Sequence, residues 1–208
     1  MTRPQAVIFD IGNVLIEWNP ERYYDSQLGE ATRRRLFAEV DLYGMNDRID
    51  AGEPFRETVH DLADRTPAWA GQIRWWHDRW IHLASPRIDR SVALLRALRH
   101  SGVPVFALSN FGIQSFAYAE TRYEFLGEFD RHYISGHMGV TKPNPEIYRK
   151  VEDDCGLPAE ALLFTDDRAD NLAAAQARGW QVHLFDGPAG FAQRLVAAGL
   201  LSAAEAGA

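Results

Sequence analysis

The sequence predicts a doubly wound α/β fold of the Rossmann-like kind, in which helices cover both faces of a parallel sheet. Short continuous apolar runs occur at residues 6–9, 103–108, 133–134, 161–164 and 182–185. Continuous rather than alternating apolar residues are typical of strands that are buried on both faces. Amphipathic helical patterns lie between the runs, for example at residues 91–99 and 171–178. Such an alternation of strand and helix indicates a parallel sheet with helical crossovers.

The connection between the first two strands is too long for an ordinary crossover. The first run ends at residue 9 and the second begins at residue 103. Helical patterns fill this interval at residues 30–40, 55–65 and 68–83, before the crossover helix that begins near residue 91. Because one helix is enough for a crossover, the surplus predicts an inserted all-helical domain. We therefore expect a catalytic core of residues 1–16 and 86–208 and a helical cap domain of residues 17–85.

One stripe of large apolar side chains runs through the last helical pattern of this insertion. It consists of Trp69, Ile73, Trp76, Trp80 and Leu83, which share one face at helical spacing. The spacing favours core packing over an aromatic wall that faces the substrate. A dimer interface is the other use of a Trp-rich face, so a homodimer is left open.

Composition narrows the class of protein further. The chain has 208 residues with 46% hydrophobic and 25% charged residues, which is typical of a globular protein. Its net charge of −7 disfavours nucleic acid or an acidic membrane as a partner. The single cysteine, Cys155, cannot form an intrachain disulfide, and the first apolar run lacks the basic lead-in of a signal peptide. We expect a cytoplasmic protein without a nucleic-acid or membrane partner.

Polar residues follow three of the predicted strands at their carboxyl ends. Asp10 follows the first run, Ser109 and Asn110 the second, and Asp166 and Asp167 the fourth. Ligands of open parallel sheets bind at this edge, outside the carboxyl ends of the strands. Each residue alone could cap a helix, but three such strand ends with additional carboxylates indicate a functional site.

These residues stand in a series of four motifs that resembles the haloacid dehalogenase-like (HAD) hydrolase superfamily. The motifs are VIFDIGNVL at residues 7–15, ALSN at 107–110, KPNPEIY at 142–148 and FTDDRADN at 164–171. Their order and spacing extend the resemblance over nearly the whole chain. The chain is most similar to subfamily IA, whose members carry a helical C1 cap, and within it to sugar-phosphate phosphatases with an Asp-x-Gly-Asn nucleophile loop.

The resemblance implies a chemical role for the carboxylates and a Mg²⁺ cofactor. Asp10 is expected to attack phosphorus and to form an aspartyl-phosphate, which splits one displacement into two easier steps. Mg²⁺ prefers oxygen ligands, so Asp10, Asp166 and the backbone carbonyl of Gly12 are expected to hold it, with Asp167 as a further ligand. Asp170 is expected either to orient a metal-bound water or to be a solvated carboxylate in the first turn of a helix.

The remaining motif residues are expected to bind the substrate. Ser109, with Asn110, is expected to hold a phosphoryl oxygen. Lys142 is expected to supply positive charge to Asp10 and to the transition state. Trp18 is expected to contact the substrate because it lies within ten residues of Asp10, at the entry to the insertion.

The sequence departs from the family's pattern at Gly12. Most phosphatases of the family carry a second Asp at this position, which serves as the general acid and base. Such catalysis typically contributes about 10²–10⁴-fold. Water or a group of the insertion, such as Glu17, Asp47 or His77, is a candidate to replace it.

Three functions remain open at this point. The favoured one is a Mg²⁺-dependent phosphatase of small phosphorylated metabolites such as sugar phosphates. The alternatives are a metal-independent 2-haloacid dehalogenase, which also lacks the second Asp, and a catalytically weak protein that binds a metabolite. A site without metal has no use for the carboxylates of Asp166 and Asp167, which would repel each other and Asp10. The sequence therefore favours the phosphatase.

Overall fold

The computed structural model describes residues 2–207, and its centre is a five-stranded parallel sheet. The strands of the chain are β1 (Ala6–Phe9), β2 (Ile16–Trp18), β3 (Ala84–Arg87), β4 (Val105–Ser109), β5 (Arg131–Ile134), β6 (Leu162–Asp166) and β7 (Gln181–Leu184). The parallel sheet has the order β5-β4-β1-β6-β7, with β1 in the middle. All five predicted strands are present, with ends that differ from the prediction by at most two residues. The predicted doubly wound α/β fold is confirmed.

Helices connect these strands. They are α1 (Pro20–Leu28), α2 (Glu30–Glu39), α3 (Leu42–Asp50), α4 (Phe55–Arg65), α5 (Ala70–Asp78), α6 (Trp80–Leu83), α7 (Asp89–His100), α8 (Ile113–Glu120), α9 (Ser135–Met138), α10 (Pro145–Cys155), α11 (Ala169–Ala177) and α12 (Pro188–Ala197). Within the described residues, none is long and apolar enough to pass through a membrane.

The three inner strands of the sheet, β1, β4 and β6, are buried on both faces, as their continuous apolar runs predict, whereas the edge strands β5 and β7 are partly exposed. Successive side chains of a strand point to opposite faces. Phe9 of β1 belongs to the core that α7 and α12 complete, and its ring meets Phe191 edge-on at 5.4 Å. Ile8 belongs to the opposite core, which contains Tyr148 of α10 and Leu172 of α11. This three-layer packing fixes the carboxyl ends of the strands relative to one another.

Helices α1 to α6 lie between residues 20 and 83, and we call this part of the chain the helical segment. It joins the sheet through a two-stranded antiparallel ribbon of β2 and β3, in which Ile16 pairs with Arg87 and Trp18 with Ala84. Helices are observed where the sequence predicts a helical insertion. The ribbon was not predicted, since strands of three and four residues are too short to show a periodic pattern.

The prediction of one helix over residues 68–83 is wrong. A 3-10 turn at Pro67–Trp69 precedes α5, and α5 is separated from α6 at Arg79, whose φ of −124° and ψ of 23° are not helical. The Arg79 side chain lies over the Trp75 ring at 4.6 Å and donates a hydrogen bond to Tyr23. Such tertiary contacts leave no mark on the periodicity of the sequence.

The apolar stripe nevertheless packs in the core. Its five side chains are at most 5% exposed and share one cluster with the apolar side chains of the ribbon. The core interpretation of the stripe is confirmed, although Trp80 also lines the cavity described below.

Candidate active site

The strand order brings the three predicted polar strand ends together. Strand β1 lies between β4 and β6, with Phe9 opposite Ala107 on one side and Thr165 on the other. Asp10 directly follows β1, while Ser109 and Asp166 are the last residues of the neighbouring strands. The three side chains therefore meet at the centre of the sheet's carboxyl edge.

Asp10 is held by three donors on one oxygen. Its Oδ1 accepts hydrogen bonds from the Ile11 amide at 2.7 Å and the Ser109 hydroxyl at 2.7 Å, and lies 3.0 Å from the Lys142 ammonium. Among the described residues, Oδ2 has no hydrogen-bond donor. The carboxylate is fixed in orientation and keeps one oxygen available for chemistry.

Lys142 lies between two carboxylates and is 4% exposed. Its Nζ donates to Asp166 Oδ2 at 2.6 Å and to the Leu108 carbonyl at 2.9 Å, in addition to its contact with Asp10. Burial opposes the charge on Lys142, but Asp10 and Asp166 outweigh burial and raise the pKa of Lys142 above its ordinary value. The lysine is therefore a permanent cation within the site.

Asn110 positions this lysine through its backbone. The Asn110 side chain donates to the Lys142 carbonyl at 3.0 Å and accepts from the Lys142 amide at 2.8 Å. Asn110, predicted to bind substrate, also lines the cavity above Asp10. It therefore links the second motif to the third.

Asp166 is fully buried and bonded on both oxygens. Asn171 Nδ2 lies 3.1 Å from Oδ1 and 3.0 Å from Oδ2, and the Arg168 amide donates to Oδ1 at 2.8 Å. Asn171 was not singled out from the sequence, although it closes the fourth motif. Asp170 pairs with Arg168 at 2.7 Å and is about half exposed, so its environment is that of a solvated carboxylate.

The carboxylates form a donor set that suits a divalent cation. Asp10, Asp166 and Asp167 each offer an oxygen, and the three oxygens lie within 4.8 Å of one another. Burial raises the pKa of Asp10 to about 7; Lys142 opposes that rise, and the charges of Asp166 and Asp167 add to it. One lysine does not balance three carboxylates, and the Gly12 carbonyl beside them accepts no hydrogen bond from the described residues. These oxygens fit Mg²⁺, which prefers hard oxygen ligands.

Asn13 joins the nucleophile loop to the fourth motif and was missed by sequence reasoning. Its φ of 56° lies in the left-handed region, which Asn adopts more readily than most residues. Its Nδ2 donates to Asp167 Oδ2 at 2.9 Å, and its Oδ1 accepts from the Trp18 amide at 2.9 Å. The same side chain thus orients one carboxylate and the last residue of β2.

A cavity of about 350 Å³ opens above Asp10. Its apolar wall consists of Ile11, Ile16, Trp18, Trp80 and Phe111, and polar groups of α3 complete it. Trp18, which the sequence predicts to contact the substrate, lines the cavity and packs on Trp76 and Trp80 with ring centroids 5.8 and 6.2 Å apart.

Of the three predicted substitutes for the missing acid, Asp47 alone lines the cavity. Glu17 pairs with Arg22, and His77 lies 4.8 Å from the Phe55 ring with its Nδ1 on Asp78. Asp50, one helical turn beyond Asp47, also lines the cavity and was not predicted. The i, i+3 spacing from Asp47 was the available signal.

Fold and site together define a doubly wound α/β protein whose candidate active site lies at the carboxyl edge of its parallel sheet. The model of the haloacid dehalogenase-like hydrolase family matches residues 4–179, and the chain belongs to this family.

Known proteins of similar sequence and fold include phosphatases. The chain is 29% identical to a sesquiterpene phosphatase of Aspergillus oryzae, over 88% of this chain and 90% of the relative. It is 26% identical to a drimenol cyclase of Aspergillus calidoustus over 87% of this chain, and it spans about a third (34%) of that larger protein. Among solved structures, an HAD family enzyme of Bacteroides thetaiotaomicron in complex with magnesium and inorganic phosphate has a TM-score of 0.67. That enzyme is 22% identical, over 86% of this chain and 93% of the other.

Proposed function

We propose that the protein is a Mg²⁺-dependent phosphatase that hydrolyses a small phosphate monoester through an aspartyl-phosphate on Asp10. The observation that carries the proposal is the cluster of Asp10, Asp166 and Asp167 around a single buried lysine. This excess of negative charge suits a site that holds a cation and then a phosphate. A metal-free dehalogenase would gain nothing from it.

The residues of the site divide the chemistry among themselves. Asp10 attacks phosphorus, and Ser109 and Lys142 stabilise the negative charge on the transferred phosphoryl group. Asp10, Asp166, Asp167 and the Gly12 carbonyl would hold Mg²⁺, which when bound supplies charge neutralisation and polarises the phosphoryl oxygens. Asn110 and Asn171 keep Lys142 and Asp166 in place.

The cavity favours a neutral alcohol as the leaving group. Asp47 lines it with an exposed carboxylate, so a second phosphate or a carboxylate on the substrate would be repelled. Trp18, Trp80 and Phe111 offer an apolar surface to the rest of the substrate. A sugar or polyol phosphate meets these conditions, and so does an isoprenoid monophosphate.

Similar proteins agree with this assignment. The sesquiterpene phosphatase covers nearly the whole chain, and the B. thetaiotaomicron enzyme of the same fold is described with magnesium and phosphate. We further propose that residues 17–85 act as a cap over the site. The cytoplasmic location and the homodimer stay predictions.

A phosphatase panel tests the proposal. Wild-type protein is incubated with 4-nitrophenyl phosphate, sugar and polyol phosphates, an isoprenoid monophosphate, phosphoserine and 3-phosphoglycerate, with Mg²⁺ or with a chelator. We expect phosphate release from the uncharged alcohols, none with chelator, and at least about a 10³-fold loss in Asp10→Asn. Asp78→Asn is the matched control, because Asp78 lies outside the cavity.

Two results would contradict the proposal. One is chelator-insensitive halide release from 2-chloropropionate. The other is an Asp10→Asn variant that hydrolyses phosphate esters as well as the wild type.

A further inference from the structure

The carboxyl end of α3 packs directly against the loops of the catalytic core. The Asp50 carbonyl accepts a hydrogen bond from Ser135 Oγ at 2.5 Å, at the end of β5. A methyl group at Gly112 would meet Ile49 Cγ2 at 2.5 Å, and one at Gly52 would meet the Gly136 carbonyl at 3.0 Å. The loops after β4 and β5 therefore hold this end of α3 at the carboxyl edge of the sheet, where Asp10 lies.

The Asp50 side chain is turned into the cavity and held by donors only. Asn46 Nδ2 donates to Asp50 Oδ2 at 2.8 Å, and the nearby Gly112 amide favours the charged form of the same carboxyl group. The Trp76 indole donates to Asn46 Oδ1 at 3.0 Å, which fixes the direction of the Asn46 amide. Neither the Asn46 amide group nor the Gly112 amide can accept a proton from Asp50. A substrate bound in the cavity can accept it.

Asp47 differs from Asp50 in its surroundings. Asp47 is exposed, and among the described residues its carboxylate has no hydrogen-bond donor. Asp50 is half-buried against the core and oriented by its hydrogen bond from Asn46. A carboxyl group that transfers protons in catalysis needs such a fixed position.

We propose that Asp50 is the general acid and base of the reaction and replaces the carboxylate that is missing at Gly12. The inference rests on the proposed phosphatase function. As Asp10 attacks phosphorus, the bond from phosphorus to the alcohol oxygen breaks, and that oxygen takes its electron pair and the proton of Asp50. The alcohol leaves, and Asp50 is then a carboxylate.

The second step restores both groups. A water oxygen attacks phosphorus of the aspartyl-phosphate while Asp50 takes one proton of that water. The bond from phosphorus to the Asp10 oxygen breaks, so Asp10 becomes a carboxylate again and hydrogen phosphate leaves. Asp50 is protonated again, and the sum is ester plus water giving alcohol plus hydrogen phosphate.

The electrostatic environment of Asp50 is consistent with this role. Burial raises the pKa of Asp50 to about 7; the charge of Asp47 on α3 and that of Asp10 after β1 add to the rise, while the Gly112 amide and Asn46 oppose it. Asp167 and Arg168, after β6, are the other charged groups that line the cavity. A group with a pKa near the working pH is the best compromise between donating and accepting a proton.

The test compares two leaving groups. The ratio kcat/KM reports on the formation of the aspartyl-phosphate. In that step 4-nitrophenolate can leave without being protonated, whereas the alkoxide of glycerol needs a proton from an acid. In Asp50→Asn we expect kcat/KM for glycerol 2-phosphate to fall about 10²–10⁴-fold, but kcat/KM for 4-nitrophenyl phosphate by less than about 5-fold. The variant should also show a burst of nitrophenolate, because hydrolysis of the aspartyl-phosphate loses its base.

Two further measurements distinguish a catalytic role of Asp50 from a purely structural one. At saturating Mg²⁺, which binds Asp10 in its ionised form, the wild-type kcat/KM for glycerol 2-phosphate should decline as pH rises through about 7, and Asp50→Asn should lack that decline. Asp61 is an exposed residue of α4 outside the cavity, so Asp61→Asn should have the kcat/KM of the wild type on both substrates.

A rescue variant uses the space at Gly12. A Cβ there would meet only Trp18 Cβ, at an ordinary 3.8 Å. Restoration of glycerol 2-phosphate hydrolysis by Gly12→Asp in the Asp50→Asn protein would support the proposal.

Equal losses of kcat/KM on the two substrates, without a burst, would overturn the role of Asp50. Such a result leaves the proposed function intact as long as the wild type hydrolyses both esters with Mg²⁺ and Asp10→Asn hydrolyses neither.

Discussion

At the scale of single residues, Lys142 is the side chain that links the carboxylates of the site. It is one of only two lysines in the chain, and it is nearly inaccessible to solvent. Its ammonium bridges the carboxylates of the first and fourth motifs. A buried ion pair of this kind adds little to stability as a whole, but the loss of one partner leaves the other charge uncompensated. The lysine therefore affects both folding and chemistry.

We expect Lys142→Met to lose at least about 10³-fold in phosphatase activity, since the positive charge that stabilises the transferred phosphoryl group disappears. Its free energy of unfolding should fall by about 3–5 kcal/mol at pH 8. The loss should be smaller at pH 5, where the carboxyls can take up protons instead. Activity assays and urea denaturation at the two pH values measure these changes.

The other lysine provides the control. Lys150 donates to the Met138 carbonyl at 2.8 Å, away from the cavity. Lys150→Met should cost no more than about 1.5 kcal/mol and keep its activity. A Lys142→Met protein with wild-type turnover would refute the assigned role of the lysine.

At the scale of elements, the decisive feature is how α3 meets the core. Helix α3 begins with an Asp41 cap, whose side chain accepts from the Gly44 amide, and ends at Asp50 against the loop that contains Gly112. Gly112 gives room for Ile49, so the position of Asp50 depends on a glycine more than sixty residues away in sequence. Helix α3 and this loop act as one structural unit.

A methyl group at Gly112 should displace α3. It would lie 2.5 Å from Ile49 Cγ2 and 2.9 Å from Ser115 Oγ, both too close for a carbon atom. We expect Gly112→Ala to reduce the free energy of unfolding by about 1–3 kcal/mol. Hydrolysis of glycerol 2-phosphate should fall more than that of 4-nitrophenyl phosphate, because Asp50 moves with the helix.

Gly71→Ala is the matched substitution, since a Cβ at Gly71 in α5 meets nothing within 4 Å. It should be neutral or stabilise the protein by up to about 1 kcal/mol. If Gly112→Ala affected both substrates to the same degree, the coupling between α3 and the acid would have to be abandoned.

Elements with strong local patterns could be predicted from the sequence, and contacts between distant elements could not. The five sheet strands are continuous apolar runs, and the polar residues after them identified Asp10, Ser109 and Asp166 as one site. Helix α3 spans only nine residues and has Gly44 in its first turn, which lowers the helical propensity of its sequence. The place of Asp50 depends on its contacts with residues 112 and 135, and no spacing within α3 reveals that contact.

At the scale of the whole molecule, the site lowers stability at neutral pH. Burial raises the pKa values of Asp10 and Asp50 from 3.8 to about 7 in each case. The folded protein therefore holds protons between about pH 4 and pH 7 that the unfolded chain has released, and stability declines as pH rises through this window. Burial lowers the pKa of His183, so the unfolded chain binds up to one more proton at this residue than the folded protein does. This difference opposes the decline in stability.

The expected result is a free energy of unfolding that falls between pH 5 and pH 7. Each raised carboxyl contributes a slope of at most about 1.4 kcal/mol per pH unit. Urea denaturation in chelator across this range measures the slope. Mg²⁺ should reverse part of the loss, because it binds the ionised carboxylates of the folded state.

Asp10→Asn combined with Asp50→Asn should flatten the profile, since both raised groups are then absent. A wild-type stability that rises steadily from pH 5 to pH 7 in chelator would be incompatible with these pKa values.

The β2–β3 ribbon has a consequence for how such a protein can diversify. The Asn19 amide donates to the Leu83 carbonyl and the Ile88 amide to the Leu15 carbonyl, so the two connections to the helical segment run side by side. Adjacent strands lie about 5 Å apart, which is the span of a two-residue hairpin turn. A recombination event could therefore remove or exchange everything between Trp18 and Ala84 without rerouting a strand of the core sheet. Such an exchange would replace α3, together with Asp50 and its contacts at Gly112 and Ser135, while Asp10, Lys142 and Asp166 would stay in place.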